Sequence, residues 1–249
     1  MKTQDLKSDL ELLKRLLGDN WSENILDLGR IEKAISNLDN DKKITNWDYV
    51  INGIVFTNID FGKNVLPKQN NEREFENPRI KIDFNISGFN DKDIYDPINR
   101  LIFNIKIFAK CQTLDDEYDV FATWHLDKNI GEEDENFFHP EYHFHFGGHE
   151  MSKDDNLKFG QLLLLESPRL AHLPMDGILA IDFVIRNFYE RNKHERLTKL
   201  PAYKKILKNA QDRFWKPYIL GIASHWDSKL KNDIKDENLN PQKLIPNLV

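Results

Sequence analysis

The sequence predicts an α+β protein, with a central antiparallel sheet of about five to six strands flanked by N-terminal helices and two C-terminal helices. Three observations carry that expectation. Leucines recur at helical spacing at the start of the chain, period-two alternation dominates its middle, and a second helical pattern fills its last third. A chain of 249 residues with 40% hydrophobic content can bury one sizeable core. The expectation is therefore one domain over residues 1–249, with a helical element over 1–40, a sheet over 49–170 and helices over 174–231.

Leu6, Leu10, Leu13 and Leu17 predict an amphipathic helix from about Thr3 to Leu17, with Gly18 as its stop. Ser22 suits the cap of a second helix whose buried stripe is Ile25, Leu28, Ile31, Ile35 and Leu38. From Tyr49 to Phe61 the pattern becomes β-like, and Lys68 to Glu74 reads as a solvated loop. Ile80, Ile82, Phe84 and Ile86 then alternate with charged and polar residues, as a strand with one buried face requires.

Two further strands, Leu101 to Cys111 and Tyr118 to Asp127, test each other's register. Setting Cys111 opposite Tyr118 pairs Ala109 with Val120, Ile107 with Ala122, Ile105 with Trp124 and Phe103 with Leu126, while Lys110 meets Asp119 on the other face. A slip of one residue destroys both patterns. This hairpin puts His125 and Asp127 on the non-core face and Cys111 on the core face.

After the acidic loop Gly131–Glu135, the run from Phe137 to Glu150 holds half of the eight histidines. Read with a period of two, Tyr142, Phe144 and Phe146 face the core, while Glu141, His143 and His145 face away. Gly147-Gly148 permits a turn or bulge, and His149-Glu150 follow it. Returning antiparallel to Tyr118–Asp127, with Trp124 near Tyr142 or Phe144, this strand gathers His125, Asp127, Glu141 and His143, with His139 or His145 at the rim. A strand at Leu162–Glu166, a turn from Ser167 to Asp176 and a buried helix from Ile178 to Tyr189 complete the middle. Pro174 and Asp176 suit that helix's first turn, and Asp182 and Arg186 are spaced as a pair. Pro201 opens a last long helix with a kink expected at Pro217, and beyond Lys231 the tail reads as polar and frayed.

Charge narrows the functions. The formal net charge is −6, so no broad basic footprint exists for binding nucleic acid. The stretch Met1–Asp5 lacks the apolar core of a signal peptide, no apolar run approaches membrane length and Cys111 is the single cysteine, so the expectation is a cytoplasmic protein of a reducing compartment.

The histidine pattern points to a divalent metal, zinc first, with His125, His143 and His145 as ligands and His139, His149, His172 and Asp176 as possible additions. In an enzyme of this kind the metal would activate a water for hydrolysis, with Glu141, Asp127 or Glu150 taking the proton. His149 or His172 would polarise the substrate. The same residues also suit a polar strand face whose histidines bond to carboxylates. In that alternative the chain is a binding or assembly protein, using Phe214, Trp215, Tyr218 and Trp226 to meet a protein partner or to form a homodimer. A nuclease acting through His125 and Asp127 is a third class, disfavoured by the acidic balance.

His143-x-His145 with Glu150 and His172 resembles the metal motif of cupins, although the leading glycine is absent and the chain turns helical after His172. His143-Phe144-His145-Phe146 resembles the histidine triad of nucleotide hydrolases, but Gly147 stands where the third histidine would. Cys111, Glu141, His143 and His145 together are similar in composition to CEHH domains, metal-binding proteins of bacterial gene clusters for ubiquitin-like conjugation. That resemblance implies a metal site and an accessory role in protein modification or antiphage defence.

Overall fold

The computed structural model describes residues 3–39, 46–60, 72–90, 95–128, 138–147, 151, 169–234 and 239–248. Among them, seven strands form one sheet in sequence order, each antiparallel to the next: β1 (Ile25–Leu26), β2 (Asn46–Phe56), β3 (Arg73–Phe89), β4 (Ile98–Thr113), β5 (Glu117–Lys128), β6 (Tyr142–Phe146) and β7 (Leu170–Ala171). The sheet is a meander, and its long strands alternate as the sequence demands. The expected strand at Leu162–Glu166 lies outside the described residues. Among those residues no helix is long and apolar enough to cross a membrane.

The β4–β5 ladder has the expected register, with Cys111 opposite Tyr118, Ile105 opposite Trp124 and Lys110 opposite Asp119. In β2 the apolar positions Trp47, Tyr49 and Ile51 would fall out of phase with Ile54 and Phe56. A bulge between Asn52 and Ile54 corrects the phase, and Gly53 takes the positive φ of 83° that this needs. Arg73 and Glu74, expected in a loop, begin β3 instead.

The helices lie on one face of the sheet. Helix α1 (Thr3–Trp21) runs past Gly18 because Trp21 is buried, its ring 5.0 Å from that of Tyr189. Packing there outweighs the roughly 1 kcal/mol propensity cost of one glycine. Ser22 does not cap a helix: Ser22–Asn24 is a 3-10 turn, Ile25 enters β1, and α2 begins only at Gly29 and ends at Asp39. Edge pairing with β2 claims Ile25 before the helix can.

Helix α3 (Gly177–Phe188) is capped by Asp176, which accepts from Ile178 N at 3.1 Å and Leu179 N at 2.9 Å. The last third holds more helices than the two expected. Helix α4 (Arg191–Thr198) is followed by α5 (Pro201–Ala210), a π turn at Gln211–Trp215, and α6 (Lys216–Ala223). The irregularity expected at Pro217 is this π turn, which aims Arg213 Nη1 at Asp9 Oδ2, 2.5 Å away.

Short helices α7 (Ser228–Asp233) and α8 (Pro241–Leu244) finish the chain. The described part of the tail is docked rather than frayed: Leu244 is fully buried and its carbonyl accepts from Glu141 N at 3.2 Å. Gly221 allows this approach, since a Cβ there would sit 3.2 Å from Leu239 and 3.3 Å from Leu244.

Helices and sheet share one contiguous core. Trp47 lies 6.2 Å from Phe214, Phe84 lies 5.7 Å from Phe103, and Tyr49 Oη accepts from Gly177 N at 2.8 Å. The opposite face of the sheet is polar, carrying Asp83, Asn104, His125 and His145 along one cross-strand row.

A candidate metal and anion site on the polar face

Strand β6 pairs with β5 so that Trp124 faces Phe146, His125 faces His145, Leu126 faces Phe144 and Asp127 faces His143. Trp124 was expected opposite Tyr142 or Phe144. The parity is as expected and the register is shifted by two, because Trp124 is gripped by both Phe144 at 5.3 Å and Phe146 at 5.0 Å between ring centroids. Gly147, at φ 80°, ends the strand, donating its N–H to Thr123 O at 2.8 Å and accepting from Thr123 Oγ1 at 2.9 Å.

Cross-strand partners project to one face, so this register brings the imidazoles together. Ring centroids are 3.4 Å apart for His125 and His145, 5.7 Å for His143 and His145, and 4.5 Å for His139 and His143. His139, expected only as an addition, belongs to the group. Asp127 Oδ2 sits 3.3 Å from His125 Nε2, where it orients that ring.

The cluster is electrically unusual. His143 is 4% exposed, and burial drives its pKa down to about 3, helped by His139, His145, Arg169 and His125. Burial, then Arg169 and His139, hold His145 at about 4. Both rings are therefore neutral at pH 7 and can act as Lewis bases. The Nδ1 atoms of His143 and His145 are buried without a hydrogen-bond partner among the described residues. Among those residues no three His, Cys, Asp or Glu side chains are already gathered in metal-holding geometry. His125 packs edge to face on His145 and His139 on His143, while the rings of His143 and His145 lie 28° from parallel, so a shared ligand point requires side-chain rotation.

Several expected members lie elsewhere. Glu141 sits at a bend before β6, where strand alternation does not reach, and points to Lys128 Nζ at 3.6 Å. Burial, then the Asp96 carboxylate, raise its pKa to about 7 against the opposing pull of Lys128. His172 is on the helix side, between Phe144 at 5.5 Å and Phe183 at 6.2 Å, with Nδ1 2.7 Å from Leu173 O. Asp176 is the fully buried cap of α3, with Arg213 Nη2 3.6 Å from its Oδ2. Cys111 lies on the core-face side of the sheet, in a small apolar group with Phe75 and Ala109. His149 and Glu150 lie outside the described residues.

Arg169 was missed. Its segment reads in the sequence as a turn, and only the pairing of β7 with β6, His143 to Ala171 and Phe144 to Leu170, brings it to the histidines. No sequence signal marks that two-residue strand.

The fold and site together define an α+β protein whose meander sheet carries a helix layer on one face and an imidazole cluster on the other. No family model, curated protein or solved structure matches the chain.

Proposed function

We propose that the imidazole cluster of β5 and β6 binds a divalent metal, zinc first, through His143 and His145 with His125 and His139 completing or adjusting the shell. The observation that carries this reading is the pair of buried Nδ1 atoms on His143 and His145. An unpaired buried acceptor costs about 1–3 kcal/mol, and a metal ion is a common explanation of such atoms. Neutral imidazoles are the right donors for zinc. Asp127 beside His125 supplies the carboxylate that orients a ligand histidine.

A bound divalent ion would supply Lewis acidity for hydrolysis. In this reading Asp127 positions His125 rather than serving as the base, and Glu141 stays with Lys128. Titrating zinc into the metal-free protein by calorimetry tests the reading. One tight site in the wild type, lost in His143→Ala with the fold intact, is the expected result. Equal uptake by wild type and variant, or none by either, ends it.

A second reading keeps a specific observation of its own. Trp226, in the turn after α6, is 69% exposed, and Ile219 at 47% and Leu220 at 37% are exposed on α6 itself. Such exposed apolar residues suit a protein partner. Phe214 and Tyr218, by contrast, are spent on the chain's own core. Light scattering after size exclusion checks self-association, which Trp226→Ser should abolish.

A further inference from the structure

We propose that Arg169 makes the histidine face an oxyanion site, taking the phosphate or carboxylate group of an anionic substrate. This names the substrate class of the metal site, and it rests on that reading for the reacting end alone.

Three observations converge. The first is register. In the β6–β7 ladder His143 pairs with Ala171 and Phe144 with Leu170, and Arg169 directly precedes β7 at the end of the ladder next to His145. His145 itself pairs with His125, so Arg169 enters the sheet beside the row that these two imidazoles form.

The second is unspent donors. Nε and Nη1 of Arg169 are buried and have no hydrogen-bond partner among the described residues. A guanidinium offers five N–H donors and no acceptor, and hidden donors left without a partner are costly even on a half-buried residue such as Arg169. Neighbouring imidazoles cannot neutralise it. A ligand bearing anionic oxygens can.

The third is charge. Arg169 lies near enough to His143 and His145 for its charge to act on both. On this face Asp127 is engaged with His125 at 3.3 Å. Arg169 and Asp127 offset each other in formal charge, and a divalent ion bound there would leave the site net positive. The complement is an anion.

The test uses the full-length chain, zinc-loaded and freed of excess metal, with its zinc content measured in the same sample. Inorganic phosphate and acetate are titrated separately into wild type, Arg169→Gln and Arg169→Lys. Phosphate or acetate should bind the wild type, and Arg169→Gln should weaken that binding about ten-fold or more, with zinc content unchanged. Arg169→Lys should restore part of it. Whichever ion binds tighter identifies the oxyanion's source.

Thermal melts separate this role from a structural one. Removing these unpartnered donors should leave the ligand-free melting temperature unchanged or raise it, and phosphate should stabilise only proteins that keep a cation at this position. A fall in the ligand-free melting temperature of both variants with no change in anion binding overturns the proposal. So does failure of both anions to bind the wild type. Should the protein take up no zinc, the metal reading fails, and the same titrations on the metal-free protein decide the anion site. Arg169-dependent binding upholds it, and Arg169-independent binding or none overturns it.

Discussion

Two polar clusters meet at the start of β6 and handle burial in opposite ways. On the helix side, Tyr142 Oη donates to Asp96 at 2.6 Å, and Lys128 Nζ lies 2.7 Å from the same carboxylate. Lys128 also donates to Ile98 O, and Asp96 accepts from Ile98 N at 3.1 Å. On the other side, His143 and His145 are comparably hidden, yet each leaves a ring nitrogen without a hydrogen bond among the described residues. Glu141, whose Oε1 lies 3.6 Å from Lys128 Nζ, joins this first cluster and leaves its other oxygen, Oε2, in that condition. The closed network has what a structural cluster needs. The open one suits a ligand site, because among the described residues those nitrogens have no partner.

That contrast predicts different responses to mutation. The largest is expected at Asp96. Asp96→Ala strands Lys128 in the interior and should cost about 3–5 kcal/mol in urea unfolding, while leaving the zinc stoichiometry of the folded fraction unchanged. A loss below about 1 kcal/mol would mean that the network is not the structural half of the pair.

Acid should divide the two clusters next. His143 and His145 have folded pKa values of about 3 and about 4, below their ordinary 6.5. Their contribution is complete above pH 6.5 and is lost as pH falls toward those folded values, because the unfolded chain binds the extra protons. After discounting for partial exposure this amounts to about 2 kcal/mol by about pH 5. Glu141 has the opposite sign: its pKa rises from 4.5 to about 7, so its contribution is complete below 4.5 and falls as pH rises toward 7. The two should partly cancel in the metal-free wild type. Glu141→Gln should therefore lose more melting temperature between neutral pH and about pH 5 than the wild type does. Superimposable profiles would contradict the assignment of opposing signs.

The smallest effect belongs to His172, which resembles a site residue in sequence and lies on the helix side in the fold. His172→Phe keeps the ring contacts with Phe144 and Phe183. It should change stability by about 1 kcal/mol at most and leave zinc uptake untouched. Loss of zinc would move His172 into the site.

What the sequence revealed follows from how many constraints act at each place. The β4–β5 register was legible because apolar residues on one face and Lys110 opposite Asp119 on the other both forbid a one-residue slip. In β6 only five residues pair, and a period of two leaves a two-residue shift nearly degenerate. Parity was therefore readable while the partner of Trp124 was not. Parity alone sufficed to gather His125, His143 and His145. It failed at Glu141, one residue before the strand begins, where a bend replaces alternation. Asp176 and His172 were misleading for a different reason: a cap and a packed ring use the same chemistry as a ligand, and only their neighbours tell them apart. Arg169 was hidden because its place depends on a two-residue edge strand. Helix ends at Gly18 and Ser22 were overridden by tertiary contacts of Trp21 and Ile25.

The most direct measurement is elemental analysis by mass spectrometry of the purified, untagged protein beside a His143→Ala/His145→Ala variant. Near-stoichiometric zinc, manganese or iron in the wild type and none in the folded variant is the predicted result. The same metal content in both, or no metal in the wild type even after its addition, would contradict the claim that the open histidine cluster is a metal site.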